Sequence, residues 1–283
     1  MNDFLLLLTG IVFAGIGGEL FVRGAVGLAQ WGRIAPAIIG STVAAFATSS
    51  PELSVAVNAA LAGKPQIALG DSLGSNFMNV ALILAIVLVI SGIQSPRTSI
   101  KRDFPVALFI PAITALLFLD GTLSRVDGLA MLVLFFVWLV ATIIEARTQR
   151  HGAVRTPLHH KRWQILLMCF AGLTFLIAAG NLIVSGAKGL ALTFGIDAYV
   201  IGVTLVALGT SAPEVATTII AKLRGHDEIS LSTILGSNIF NGGLIVSVAA
   251  IIHPITVSFR EVAFTLVFGL VALAVAYPPR SGF

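Results

Sequence analysis

Nine predominantly apolar stretches, each close to or above the length that spans the hydrocarbon of a bilayer, run along the chain at about 4–30, 36–62, 66–92, 104–120, 126–146, 163–192, 198–222, 228–252 and 261–278. The charge content agrees with that reading. Of 283 residues, 57% are hydrophobic and only 11% charged, against about 45 to 50% and about 25% in soluble domains. Seventeen Lys and Arg with thirteen Asp and Glu cannot cover a soluble surface, which excludes a soluble globular enzyme. The expected fold class is an all-α polytopic membrane protein with nine spans. The first stretch carries the Leu5 to Leu8 run of a signal peptide, yet it lacks a basic leader and continues into a patterned helix with Glu19 and Arg23, so it counts as a span.

Basic residues give an orientation. With the N-terminus outside, the inward ends and loops hold Arg33, Arg97, Lys101, Arg102, Arg147, Arg150, Arg155, Lys161, Arg162, Lys222, Arg224 and Arg280, and the outward ones only Lys64, Arg125 and Arg260. This skew also explains a pI near 9.6 without nucleic acid, for which no aromatic-interleaved basic patch exists. The expected partners are inorganic cations and the lipid bilayer, in the plasma (inner) membrane. The single cysteine, Cys169, lies in an apolar run and rules out a disulfide framework or Cys-based metal site. The one long polar connection, a basic cytoplasmic linker at 148–162, divides a first repeat (1–147) from a second (163–283). His159 and His160 within it read as solvated loop residues.

The two halves are related. At an offset of 162 residues, 40–79 aligns without gaps on 202–241 with 17 identities in 40 positions, where biased composition alone gives roughly 4. Gly24, Ala25, Gly27, Leu28 and Ala29 recur as Gly186, Ala187, Gly189, Leu190 and Ala191. Since 162 residues carry five spans, an odd number, the second copy enters from the opposite side, making inverted-topology repeats with a site near the midplane. The second repeat lacks its last helix, because 126–146 has no counterpart there. The shared positions are mostly polar or glycine, which a bland duplication of lipid-facing helices does not require.

The polar identities fall at bilayer depth. The second and seventh spans have midpoints near Ser49 and Thr210, so Glu52 and Glu214 sit near the centre, where a carboxylate costs roughly 2.5 to 3.5 kcal/mol. The third and eighth spans bring Ser75, Asn79, Ser237 and Asn241 to the same depth, each Ser and Asn pair sharing a helix face at i, i+4. In Ala47-Thr-Ser-Ser-Pro-Glu52 and Gly209-Thr-Ser-Ala-Pro-Glu214, the helix-breaking residues Pro51 and Pro213 remove a backbone donor. They are expected to leave carbonyls at Ala45 to Thr48 and Ala207 to Thr210 unpaired and to start a new half-helix. Carbonyls, hydroxyls, amide oxygens and two carboxylates make an all-oxygen cage suited to hard cations such as Ca2+ and Na+, whereas Zn2+ wants His and Cys. The bland alternative is an ordinary helix N-cap, for which S/T-x-P-E also serves.

Other features weigh less. Glu19 either lines an access path or pairs with Arg23 at i+4; its counterpart is Asn181. Asp71, matched by Thr233, is read as peripheral. Gly15, Gly17, Gly18, Gly24, Gly27, Gly186 and Gly189 read as close-packing positions, and His226 and His253 as interfacial span-end residues.

At these residues the chain resembles the calcium/cation antiporter superfamily, whose sodium/calcium exchangers carry two inverted repeats with G-T-S-x-P-E and G-S-N-x-x-[N/D] sequences. The resemblance covers nearly the whole chain. It implies that Glu52 and Glu214 are central cation ligands, with oxygens of Thr48 and Thr210 completing a Ca2+ site. It likewise implies that Ala45, Ser49, Ser75, Ala207, Ser211 and Ser237 contribute to flanking Na+ sites, with Asn79 and Asn241 between the glutamates, and that exchange proceeds by sliding of the first and sixth helices against the rest. Two departures stand out. Ala47 replaces the usual glycine, and both Asn79 and Asn241 are amides where many members have one Asp. Two central carboxylates then balance one Ca2+, two Na+ or two protons. The family usually has ten spans, one more than here. The expected function is Ca2+/Na+ antiport by alternating access, with no cofactor; H+-coupled antiport and a cation channel are the alternatives. An intramembrane enzyme fits less well, because acid and base normally need unlike environments, and an assembly protein leaves the buried glutamates unexplained.

Overall fold

The computed structural model describes residues 3–90, 92–93, 97–152, 161–193, 209–257 and 259–276. With so little water to satisfy backbone polar groups, the chain closes them within helices. These are α1 (Asp3–Gly32), α2 (Pro36–Thr48), α3 (Ser50–Leu61), α4 (Pro65–Ile90), α5 (Arg97–Leu117), α6 (Arg125–Gly152), α7 (Arg162–Thr193), α8 (Ala212–Leu223), α9 (Asp227–Ile252) and α10 (Phe259–Val275). Two short strands, β1 (Thr122–Leu123) and β2 (Ile255–Thr256), pair antiparallel and tie the α5–α6 connection to the α9–α10 connection.

Among the described residues, six helices are long and apolar enough to cross a bilayer: α1, α4, α7, α9, and the α5 and α6 regions over Ile100–Asp120 and Arg125–Thr148. The other three expected spans depart for separate reasons. The 36–62 stretch is two helices, α2 and α3, separated by a break at Ser49 (φ −84°, ψ 9°). The 198–222 stretch lies outside the described residues up to 208, leaving α8 as its visible part. The 261–278 stretch is α10, an apolar helix of 17 residues. The helix expected at 104–120 starts earlier, at Arg97. Partners from neighbouring helices carry its polar first turns: Arg102 pairs with Asp103 at 2.7 Å and with Glu145 of α6 at 2.8 Å, and Trp138 of α6 donates to Asp103 at 3.1 Å.

The lipid-like exterior is visible in side chains such as Val89, Val126 and Phe170, which are large, apolar and exposed. α9 is the opposite case. It is buried without interruption from Ile229 to Asn241, packed among α2, α4, α5 and α8. Phe240 locks it to two neighbours, with ring centroids 5.6 Å from Phe46 of α2 and 5.0 Å and 6.0 Å from Phe135 and Trp138 of α6.

α1 and α7, the helices that correspond at the 162-residue offset, lie against each other along their lengths. Gly186 faces Asp3 and Leu7, Gly17 faces Gly172, and Gly24 faces Cys169, so the two run antiparallel. A Cβ at Gly17 would sit 2.9 Å from the Gly172 carbonyl oxygen, and one at Gly186 would sit 2.6 Å from the Asp3 carbonyl oxygen. Close packing, the role expected of these glycines, holds at Gly17, Gly18, Gly24, Gly27, Gly186 and Gly189, but not at Gly15, where an added Cβ would meet nothing within 4 Å. The repeat also recurs in backbone detail. The break at Ser49 is matched at Ser211 (φ −82°, ψ 1°). The left-handed turn at Gly63 (φ 71°) is matched at Gly225 (φ 74°). The π-helical turn at Asn79–Leu84 has its equivalent at Phe240–Ile245, a local widening that often marks functional helices.

Candidate cation site

Both T-S-x-P-E segments turn the chain in the same way. α3 begins at Ser50 and α8 at Ala212, each with its proline in the first turn and its glutamate one position later, where a helix N-terminus favours negative charge. Ser49 and Ser211 occupy the N-cap positions without making a side-chain cap bond. The ordinary-cap reading therefore fails on geometry. Ser49 Oγ instead donates across the repeats to Glu214 Oε1 at 3.0 Å, and Ser211 Oγ donates to Ser75 Oγ at 3.1 Å.

Glu52 and Glu214 are almost wholly buried. Ser237 Oγ also donates to Glu214 Oε1, at 3.4 Å, and Ser75 Oγ to Glu52 Oε1, at 3.5 Å. The second oxygen of each carboxylate, Oε2, is buried without a partner. Asn79 Nδ2 donates to Asn238 Oδ1 at 2.9 Å, leaving Asn79 Oδ1 unpartnered, and both polar atoms of the Asn241 side chain are unpartnered. Buried polar atoms are normally satisfied, since each one left over costs about 1–3 kcal/mol. Among the described residues, unpartnered buried atoms occur on the expected Glu52, Glu214, Asn79 and Asn241 and also on Asp71, Ser72, Asn76, Thr217, Thr218 and Thr233.

One expectation needs correction. The carbonyls of Ala45 and Ala47 are not left unpaired: Ala45 O accepts the Ser49 N–H at 2.9 Å and Thr48 Oγ1 at 3.3 Å, and Ala47 O accepts Ser50 Oγ at 2.7 Å. Pro51 does withhold the N–H that Ala47 O would have received, and the serine hydroxyl beside it fills the gap. Ala45 and Thr48 are fully buried beside the break. In the second copy, Ala207 lies outside the described residues. Gly209 and Thr210 are described, and a Cβ at Gly180 of α7 would sit 2.6 Å from the Gly209 carbonyl oxygen, so only glycine lets α7 come this close.

Asp71, read from sequence as peripheral, is also corrected. It is buried and accepts Thr210 Oγ1 at 3.2 Å. The signal was available, because Asp71, Ser75 and Asn79 are spaced i, i+4, i+8 and share a face. Asn76 and Asn238 were passed over too. They bind reciprocally, Asn76 Nδ2 to Asn238 O at 3.2 Å and Asn238 Nδ2 to Asn76 O at 3.4 Å, joining the copies through residues 162 apart. Glu19 resolves as an ion-pair residue, bridging Arg23 at 2.6 Å and Arg224 at 2.8 Å. His159 and His160 lie outside the described residues.

A cavity of about 490 Å³ reaches this region, lined by Ser50, Pro51, Ser54, Asn181, Thr210 and Pro213 among others. Both helix-breaking prolines thus face the same space. Residues 2–144 and 164–279 match the family model of the sodium/calcium exchanger protein. The chain belongs to the sodium/calcium exchanger family. Among relatives of this exchanger-family chain, the inner membrane protein YrbG of Escherichia coli is 30% identical over 88% of this chain and 79% of its own length. Sodium/calcium exchanger MaX1 of Methanosarcina acetivorans is 28% identical over 93% and 87%. A structure of the sodium-calcium exchanger NCX_Mj, soaked with 2.5 mM Na+ and 0.1 mM Ca2+, aligns with a TM-score of 0.83 at 28% identity, covering 98% of this chain and 91% of that one.

Proposed function

We propose that this chain exchanges Ca2+ for Na+ across the plasma membrane by alternating access. Glu52 and Glu214 are the central ligands. Thr48 and Thr210 complete a Ca2+ site, Ala45, Ser49, Ser75, Ala207, Ser211 and Ser237 contribute to flanking Na+ positions, and Asn79 and Asn241 lie between the glutamates. The observation that carries the reading is the pair of buried glutamates, each held through one oxygen by serine hydroxyls and each keeping its other oxygen unpartnered. A buried anion without a counter-charge is expensive, and a bound cation removes that cost. The empty site therefore resists crossing the bilayer's low-dielectric centre, while loaded forms cross, which is what couples one ion's movement to the other's. Membership of the exchanger family and the name of NCX_Mj support these two ions.

The repeats (1–147 and 163–283, joined by 148–162) are inverted in this reading, supported by the antiparallel course of α1 and α7. The N-terminus lies outside and the basic linker inside. The cavity climbs α7 from Ile177 to Ser185, the half farther from that linker, so it opens outward. Protein reconstituted in liposomes is expected to accumulate Ca2+ under an outward Na+ gradient, and Glu52→Gln or Glu214→Gln to abolish the uptake. Flux at the unmodified level in both glutamine variants overturns the proposal. Uptake that answers only to a pH gradient moves the coupling to protons, and uptake that follows membrane potential without trans-ion dependence makes the chain a channel.

A further inference from the structure

A second cavity lies away from the glutamates, where α1, α7 and α8 meet. It measures about 330 Å³ and is lined by Ala14 and Gly15 of α1, Ile183 of α7, and Val215, Ala216 and Ile219 of α8 among others, with no polar residue. It opens on the lipid-like exterior, where Ile11 and Ile16 of α1 are exposed. Gly15 is exposed too, and a Cβ there would meet nothing within 4 Å. No close approach explains this glycine, and glycine weakens a helix interior relative to alanine. What it contributes is the space it leaves open. Beside it α8 runs for 12 residues, Ala212–Leu223, about 18 Å of helix against the ~15 Å hydrocarbon depth of one leaflet.

Positive charge stands at one end of this groove. Arg224 follows the last residue of α8, and Arg23 lies two turns beyond Gly15, at the level where Gly24 meets Cys169 near the start of α7. That is the end nearer the basic linker. Both side chains are more than half exposed, and both reach Glu19 through Nε, at 2.6 Å and 2.8 Å. Two guanidiniums on one carboxylate leave a net positive charge. Of the nearby acids, Asp227 is paired with Lys222 at 2.9 Å, and Glu228 lines a separate polar cleft with Pro36 and His226. A guanidinium held through Nε still offers its Nη donors, whose fork matches the oxygens of a phosphate.

We infer that an anionic phospholipid from the leaflet beside the basic linker binds here, its phosphate on Arg23 and Arg224 and one acyl chain in the groove over Gly15. Basic positions between membrane helices near the headgroups attract anionic lipids. A lipid also supplies an apolar tail and a negative head in one molecule, the combination that an apolar groove ending in two arginines matches. The site is independent of which ions the chain exchanges. Its occupant touches α1, α7 and α8 at once, and so bridges the α1–α7 pair to the rest of the bundle.

The test uses the full chain in detergent, read by native mass spectrometry with phosphatidylglycerol and with phosphatidylcholine bearing the same palmitoyl and oleoyl chains. One phosphatidylglycerol per chain is expected to bind about tenfold more tightly than phosphatidylcholine. Arg23→Gln/Arg224→Gln brings the two lipids to equal affinity, and Arg23→Lys/Arg224→Lys keeps part of the preference. Gly15→Phe fills the groove without touching the arginines and weakens phosphatidylglycerol binding about tenfold. Gly15→Leu, a smaller plug, weakens it less. Melting temperatures in lipid-free detergent are expected to stay close to that of the unmodified protein, so lost binding is not lost folding.

Equal affinity of the two lipids for the unmodified protein overturns the proposal, and so does a preference that survives in the double glutamine variant. Inorganic phosphate that displaces phosphatidylglycerol makes the arginines a free-anion site. Binding unchanged in Gly15→Phe and Gly15→Leu leaves the groove without a role. A dimer that withstands phosphatidylglycerol and that Gly15→Phe dissociates puts a second copy of the chain on this face. Each of these three results also overturns it.

Discussion

The two copies of the repeat have nearly the same backbone in very different surroundings. Both break at a serine before a Pro-Glu step, both turn through a left-handed glycine, and both widen into a π turn. Yet in their most apolar stretches 83% of α9 is buried against 39% of α4. α4 lies partly against the lipid-facing exterior, while α9 runs through the middle of the bundle. Local sequence therefore sets the path of the chain, and the neighbours each copy acquires set how much a change in it costs.

The largest test of that contrast falls where the copies are most alike. Glu52→Gln and Glu214→Gln are expected to reduce Na+-driven Ca2+ uptake by about a hundredfold or more each, since a buried, unpartnered ligand oxygen is worth several kcal/mol when a cation depends on it. A large loss in one variant with near-normal uptake in the other would break the equivalence. Next comes the same substitution with opposite sign. Gly236→Ala on α9 pushes a methyl group to within 2.7 Å of Ala45 Cβ, and overpacking of this kind costs about 1–3 kcal/mol. Gly70→Ala on α4 meets nothing within 4 Å, and removing a helical glycine is worth up to about 1 kcal/mol in its favour. Melting temperatures in detergent should move down in the first case and up in the second.

Finer tests follow. Ser237→Ala and Ser75→Ala each delete one hydroxyl bonded to a glutamate, worth about 0.5–1.5 kcal/mol. The half-saturating cation concentration is expected to shift severalfold, more for Ser75→Ala because that change also strips the buried Ser211 hydroxyl of its acceptor. A larger shift from Ser237→Ala would reverse the ranking. The smallest effect belongs to Arg224→Ala. That residue is half exposed in its pair with Glu19, and surface pairs contribute about 0–1 kcal/mol. Melting temperature should barely change, and a drop comparable to that of Gly236→Ala would show that the α1 contact matters more than its exposure implies.

Much of the site was legible because a membrane leaves few reasons to keep polar groups at depth. Glu52, Glu214, Ser49, Ser75, Ser211 and Ser237 stood out as repeated polar positions in apolar stretches, and the structure joins them in two hydrogen-bonded groups, Ser49 and Ser237 on Glu214, and Ser211 on Ser75 on Glu52. Asp71 escaped for the complementary reason: it is not repeated, so a search guided by symmetry passed over it. The reciprocal bonds of Asn76 and Asn238 were equally hidden, since the repeat marked the residues without revealing which of them cross between copies.

By itself the sequence determined the apolar helices, the breaks at Ser49 and Ser211 and the presence of two carboxylates within apolar stretches. Each follows from local chemistry: apolar length, proline's missing N–H, and the cost of charge in hydrocarbon. Only the tertiary structure decided that Ser49 serves Glu214 of the other copy and not its own helix end, and that Asp71 meets Thr210. Those outcomes depend on which groups from distant parts of the chain arrive within about 3 Å of each other, and the 162-residue spacing between copies carries no measure of that distance.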